Sequence, residues 1–189
     1  MSIRILRAAM TLLLCVATAG PFARSDTTAS PTLLRTALIV ADAERSIAFY
    51  GLLGFRVEAD SASDRKPEAN PFPLNAPSTR YRLVILASRD QNGGRIGLVD
   101  FRDPAPTPTR AGSAAGNSLV GRGDMVFVFD VTDAEAIHRA LQSAGARILE
   151  PPQVYVSRRK AADGRNLQGK VFHAWDPDGN LIELLEAPK

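Results

Sequence analysis

The sequence predicts an α+β fold built from two copies of one β-α-β-β-β module. Residues 40–44 (VADAE) align with residues 131–135 (VTDAE) without a gap, at an offset of 131 − 40 = 91. The same offset places Gly54 on Gly145. The constant offset indicates that one supersecondary unit is used twice. The chain has 189 residues, of which 45% are hydrophobic and 23% charged, so it can build a single ordinary core.

Each copy opens with a strand followed by a capped helix. Residues 36–40 and 126–131 are rich in β-branched and aromatic side chains, which favour strands. Asp42 and Asp133 follow directly and can accept the free N–H groups of a first helical turn. Apolar spacing at i, i+3, i+4 and i+7 then predicts two amphipathic helices. The glycine at the matched position suits a left-handed helix end in both copies.

Three strands are predicted after each helix, because alternating or continuous apolar runs lie between turn residues. They cover residues 55–59, 80–88 and 95–101 in the first copy, and 147–150, 170–175 and 180–186 in the second. The predicted domain spans 33–187, with module one at 33–101, a linker at 102–123 and module two at 124–187. Residues 60–79 and the basic run 157–160 are predicted as long loops, the basic one either a solvated loop or a lid over an anionic ligand.

The first 25 residues are predicted to be a signal peptide and a disordered start. Two arginines precede a short apolar run at 8–16, and small residues lead to a cleavage site near Ala19 or Ser25. An uncut membrane anchor is the alternative. We therefore expect a periplasmic or secreted protein with no stable membrane span after cleavage.

Cleavage changes the chemistry that the chain can offer. It removes Arg4 and Arg7, so the formal charge falls from +3 to +1, and it removes Cys15, the single cysteine. The exported form then has no disulfide, cysteine nucleophile or thiolate metal site. A near-neutral surface also gives no electrostatic basis for nucleic-acid binding.

Two motifs resemble the vicinal oxygen chelate superfamily, which contains glyoxalase I, fosfomycin-resistance transferases, extradiol dioxygenases and bleomycin-binding proteins. They are residues 46–55 (SIAFYGLLGF) and residues 176–184 (DPDGNLIEL). The resemblance implies that the modules form a curved, open-barrel mixed sheet with the helices outside. It also implies a concave ligand cavity, and homodimerisation is left open.

In metal-using relatives, four inward-facing strand positions hold a divalent ion through His, Glu or Gln. By resemblance these positions fall on Arg35, Gly97, Val126 and Glu183. Glycine, valine and a guanidinium cannot ligate a cation, so one family ligand of four remains. We predict no cofactor and no metal site, although Glu183 could still bind a divalent ion weakly.

An unpaired carboxylate in a cavity is costly, so Glu183 needs a partner or a proton. The hypothesis is an ion pair between Arg35 and Glu183 where the metal would lie, with Asp130 sharing the arginine. The alternative is that Arg35 points to water at the start of its strand.

His173 lies ten residues before Glu183, on the neighbouring predicted strand. It is the second predicted catalytic residue, as a base, a hydrogen-bond donor or a substitute ligand, unless it is simply bonded to a neighbour. Trp175 shares its strand face, and Phe101 is a further candidate to line the cavity. Together with Arg35 and Asp130 they form the predicted ligand-binding set.

These residues favour an exported protein that binds a small apolar or aromatic molecule without a metal. The alternatives are a glyoxalase-like lyase or isomerase using a divalent ion, and a metal-free acid–base enzyme using Glu183 and His173. A third class is an assembly protein whose cavity is vestigial.

Overall fold

The computed structural model describes residues 32–64, 72–90, 93–107 and 120–188. The described residues from Leu33 onward form one compact unit, and the predicted signal peptide lies outside the described residues. No helix among the described residues is long and apolar enough to cross a membrane.

The first module contains one helix and four strands. These are β1 (Thr36–Val40), α1 (Ala43–Leu52), β2 (Arg56–Asp64), β3 (Arg80–Ala87) and β4 (Arg95–Arg102). The strands form a sheet in the order β1-β4-β3-β2, in which β1 and β4 are parallel and the other pairs antiparallel.

The second module repeats this plan, except that the strand after its helix is divided into two pieces, which both pair with the same neighbouring strand. It contains β5 (Val126–Val131), α2 (Ala134–Ser143), β6 (Arg147–Ile148), β7 (Gln153–Lys160), β8 (Asn166–Trp175) and β9 (Leu181–Glu186). The sheet order is β5-β9-β8-β6, with β7 also paired to β8, and β5 and β9 are parallel. The described residues thus form two mixed sheets that are not closed into a barrel, and the predicted α+β fold is confirmed.

Both helices begin and end as the sequence predicts. Asp42 accepts hydrogen bonds from two backbone N–H groups of α1, and Asp133 accepts one from α2. Gly54 and Gly145 follow the helix ends at φ 92° and 71°, where a side chain would be strained.

Two predicted loops are wrong in part, because strands extend into them. β2 continues to Asp64, and the basic residues 157–160 lie on β7 instead of in a loop. Pro151 and Pro152 cannot donate ladder hydrogen bonds, so they separate β7 from β6 along one edge of β8. The exposed basic side chains lie along an edge strand, where their charge discourages pairing with another chain.

The core lies between the sheets and the two helices. Buried side chains from both modules form it, including Leu38, Tyr50, Leu98, Phe172 and Ile182. Because side chains alternate along a strand, the residues between these core positions point away from the helices. We call that side of each sheet the open face.

The hairpin between β8 and β9 joins the second module to α1. Asp176 is 5% exposed and accepts four hydrogen bonds, from the Tyr50 hydroxyl, Asp178 N and both Asn180 nitrogens. Asp178 in turn accepts from the backbone N–H of Ala41, just before α1. The modules are therefore connected by buried polar contacts as well as by the shared core.

Candidate functional site

His173 and Glu183 lie directly opposite each other on the open face of the second sheet. They are paired residues of β8 and β9, and Phe172 and Ile182 beside them point into the core. The imidazole Nε2 is 3.2 Å from Glu183 Oε2. The two predicted catalytic residues are thus brought together, with side chains 28% and 31% exposed.

Glu150 completes this group from the break between β6 and β7. The Leu149 N–H bonds the His173 carbonyl, but the chain then leaves the ladder at Pro151 and Pro152. The Glu150 carboxylate takes the place of a strand partner, because its Oε1 accepts the backbone N–H of His173 at 2.9 Å. The same oxygen is 2.6 Å from the imidazole Nδ1.

The imidazole of His173 therefore has a carboxylate at each ring nitrogen. A neutral imidazole has one N–H and one lone pair, so it can donate to only one of them, whereas the imidazolium donates to both. Burial opposes the charge, but the hydrogen bonds and negative charges of Glu150 and Glu183 outweigh it and raise the pKa of His173. When protonated, His173 places a positive charge between two carboxylates.

Arg35 does not pair with Glu183, so the hypothesis of an ion pair between them is wrong. Its side chain lies over Gly97 instead, where a Cβ on that glycine would stand 3.3 Å from Arg35 Cδ. Among the described residues Arg35 has no ion pair, and the absent side chain of Gly97 leaves room for its stem. Asp130 is exposed on β5 and shares no ion pair with Arg35 within that part of the chain.

Strand register fixes which positions of the two modules correspond. Ala37 lies beside Gly97 in the first sheet, and Val128 lies beside Glu183 in the second. Since 128 − 37 is again 91, Gly97 is the structural counterpart of Glu183, as the resemblance implies.

The residues at the four family positions do not fit a divalent ion. Only Glu183 offers a donor, and its neighbouring donor is an imidazole with a carboxylate on each side. No group of three or more His, Cys, Asp or Glu able to hold a metal is found among the described residues. That the protein works without a metal stays a prediction.

Two other residues that were predicted to contact the ligand are buried under neighbouring side chains. Phe101 is 1% exposed because the rings of Phe72 and Tyr81 pack against it. Trp175 is 8% exposed, and the Arg147 guanidinium lies 4.3 Å from its ring centroid. Neither presents a free ring beside His173.

Apolar side chains are nevertheless exposed on the open face. Ile39 on β1 is 49% exposed, and Val126 and Val128 on β5 are 42% and 56% exposed. Val128 neighbours Glu183 across the parallel strand pair. The open face thus offers an apolar surface next to a charged hydrogen-bonding group.

Glu150 is the site residue that sequence reasoning missed. It stands at the end of a predicted strand with no motif to mark it. The signal that could have found it is the Pro-Pro pair that follows, since a broken ladder leaves a neighbouring N–H to be satisfied by a side chain.

The paired β-α-β-β-β modules, their parallel first and last strands, and the polar group on the open face define a two-module α+β protein of glyoxalase-like architecture. The family model of the Glyoxalase/Bleomycin resistance protein/Dioxygenase superfamily matches residues 32–184. The chain belongs to this superfamily.

Solved structures agree with this fold. A glyoxalase family protein from Bacillus cereus shares 21% identity, with a TM-score of 0.60, over 85% of this chain and 98% of its own. The trypanothione-dependent glyoxalase I of Leishmania major shares 20%, at 0.51, over 83% of this chain and 87% of its own. Glyoxalase I from Zea mays shares 18%, at 0.52, over 82% of this chain but 44% of its own. These identities support the fold alone, and no curated protein matches by sequence.

Proposed function

We propose that this chain is an exported protein that binds a small apolar or aromatic molecule on its open face without a divalent metal. The observation that carries the proposal is the position of His173 between Glu150 and Glu183. When protonated, its imidazolium offsets the charge of the remaining family carboxylate without a metal ion.

The surroundings of this group support an organic ligand. Val126 and Val128 are exposed beside it, and burying them under a ligand would contribute about 25 cal/mol per Å². The His173 and Glu183 side chains are about one-third exposed, so they can orient a polar group of the bound molecule.

A metal-free acid–base enzyme is the second candidate, and one arrangement favours it. An imidazolium held by two carboxylates can give a proton to a bound molecule and recover it from water. Glu150 would then act as a positioning residue that fixes the ring through Nδ1. The catalytic pair would be His173 and Glu183, as the sequence predicts.

The first experiment measures bound metal and ligand binding on the same samples. The purified protein and its Glu183→Gln and His173→Gln variants are analysed for divalent ions and then screened by thermal shift against a panel of small aromatic compounds. Glu58→Gln is the control, because Glu58 pairs with Arg95 at the surface of the first sheet. We expect no stoichiometric metal, and stabilisation by at least one compound that is weakened in both site variants only.

A stoichiometric divalent ion that is lost in Glu183→Gln would overturn the metal-free proposal. A panel that fails to stabilise the wild-type protein would overturn the binding proposal. For a compound that binds, hydrogen exchange from heavy water into the compound, followed by NMR and lost in His173→Gln, would establish the enzyme.

The periplasmic or secreted location and a homodimer are further parts of the proposal. Cell fractionation of the full chain and light scattering of the purified protein test them. A chain retained in the cytoplasm would contradict export.

A further inference from the structure

One β-hairpin of the second module extends beyond the end of its sheet. β9 pairs with β8 only from Lys170 onward, so residues 166–169 of β8 have β7 as their one strand partner within the described part of the chain. We call residues 153–169, which contain β7, the following turn and this part of β8, the basic arm. Because the basic arm projects past the end of β9, a partner outside the fold can reach both of its strands.

The basic arm carries an excess of positive charge. It contains four Lys or Arg residues and one acid, so its formal charge is 4 − 1 = +3. The acid, Asp163, pairs with Arg165. Arg158, Arg159 and Lys160 are exposed and form no ion pair with any residue that the structure describes. Adjacent like charges repel one another, so this strand is stabilised by an external anion.

The corresponding edge strand of the first module has its charges balanced within the fold. β2 also follows a helix and lies at the edge of a sheet. Its three acids each pair with an arginine of a neighbouring strand: Glu58 with Arg95, Asp60 with Arg82 and Asp64 with Arg80. Charge on either strand discourages pairing with another chain. β2 meets that need with balanced pairs, so the unbalanced charge of β7 calls for a further explanation.

Exposed apolar side chains lie beside this charge. Val154 and Val156 on β7 are 62% and 58% exposed. Their strand partners are alternate residues of β8, as is the partner of Lys160, so the two valines and this lysine point to one face of the hairpin. His173 lies on the other face of β8, so this surface is separate from the group around His173.

We propose that the basic arm binds the surface of a lipid bilayer that contains anionic phospholipids. Arg158, Arg159 and Lys160 contact the lipid phosphates, and Val154 and Val156 enter the headgroup region. Basic residues next to exposed apolar ones are typical of proteins that lie in a membrane interface. A nucleic acid would use the positive charges but would leave the valines in water, so the lipid surface is favoured. The proposal does not depend on the function proposed above.

Co-sedimentation of the full-length protein with vesicles tests this proposal. The vesicles contain phosphatidylcholine alone or mixed with phosphatidylglycerol. We expect binding to the anionic vesicles and not to the neutral ones. Binding should weaken as NaCl rises from about 50 mM to about 500 mM, because salt screens the charges. The variant Arg158→Gln/Arg159→Gln/Lys160→Gln should bind the anionic vesicles about 100-fold more weakly, since each basic residue near such a surface contributes about fivefold.

A second triple variant controls for net charge. Arg56→Gln/Arg89→Gln/Arg122→Gln removes three charges from exposed positions outside the basic arm and should change the affinity by less than about threefold. Residues 1–25 are present in every protein, so any contribution that they make to binding is the same throughout. Melting temperatures measured for all proteins establish that each variant is folded.

A third variant tests the apolar part of the surface. Val154→Thr/Val156→Thr keeps the charge and the β-branched shape but reduces the apolar area, so the affinity for anionic vesicles should fall by about threefold or more. Unchanged affinity in this variant would overturn the assignment to a lipid surface, as would a DNA duplex that binds at a lower protein concentration than the vesicles do. Equal binding to neutral and anionic vesicles, or an arm variant that binds like the charge control, would overturn the proposal as a whole.

Discussion

The two modules share a backbone plan and differ on their open faces. At corresponding positions the first sheet carries Gly97 under the stem of Arg35, and the second carries Glu183 opposite His173. The capping aspartates, the helix-ending glycines and the parallel strand pair are repeated in both. The comparison shows that caps and core side chains preserve the fold, while the open face is free to change because it contributes little to the core.

The largest expected effect concerns the β8–β9 hairpin, because its Asp176 is a buried acceptor of four hydrogen bonds. Asp176→Ala should lower the free energy of unfolding by about 3 kcal/mol, because it leaves several buried donors without an acceptor. Urea unfolding measures this. Asp163→Ala, in the exposed hairpin between β7 and β8, should have little effect on the free energy of unfolding, because the side-chain partner of Asp163 is the exposed Arg165. Equal losses would show that the two hairpins are equivalent.

The second effect is the pH dependence that His173 gives to the second module. Because Glu150 and Glu183 raise its pKa above the usual value, the imidazolium stabilises the fold fully below about pH 6.5. That stabilisation is lost as the pH rises through the higher pKa of the folded state. His173→Gln should cost about 1–2 kcal/mol at pH 6, and the difference from wild type should narrow at higher pH.

His138→Gln is the matched control. Within the described residues, the His138 ring packs edge-on against Phe172 and has no hydrogen bond to a carboxylate. Urea unfolding of the three proteins between pH 5.5 and pH 9 measures both differences. If the free energies of unfolding of wild type and His173→Gln differed by the same amount at every pH, the ionic role of His173 would be refuted.

The third effect compares the two helix caps. Asp42 accepts from two N–H groups and Asp133 from one, so Asp42→Ala should destabilise the protein more than Asp133→Ala. Each should cost about 1 kcal/mol, measured by thermal and urea unfolding. The reverse order would mean that contacts outside the first helical turn decide the effect.

The smallest effect is expected at Arg35. Its side chain lies over Gly97 and forms no ion pair within the described residues, so Arg35→Met should change the free energy of unfolding by less than about 0.5 kcal/mol. Gly97→Ala serves as the companion variant, because its methyl group would press on the same stem at 3.3 Å. A loss above about 1 kcal/mol in Arg35→Met would restore a structural role for the arginine.

The repeat and the helix boundaries could be predicted because they depend on local chemistry. Asp42, Asp133, Gly54 and Gly145 satisfy or end a helix within a few residues, so their signals are visible in sequence. The extent of β7 could not be predicted in the same way. Its exposed and charged side chains give no apolar alternation, and the strand exists because β8 offers an edge.

In the candidate site, too, the features set by local sequence could be predicted and those set by distant segments could not. Strand alternation gives the face of each residue within its own strand, and the family resemblance predicts that His173 and Glu183 share one face. The partner of His173 depends on the path of the chain at Pro151 and Pro152, which brings Glu150 to the ring. The contact of Arg35 with Gly97 depends on the neighbouring strand of the first sheet. Such a contact between distant segments has no local pattern.

The hydrogen bonds that join α1 to the β8–β9 hairpin also constrain the order in which the chain folds. Tyr50 and Asp176 are 126 positions apart, and Ala41 and Asp178 are 137 positions apart. Closing such long loops has an entropic cost, and these hydrogen bonds cannot form before the last segment of the chain is available. Until the β8–β9 hairpin is available, the amino-terminal half lacks its buried acceptor, so its native packing is completed last.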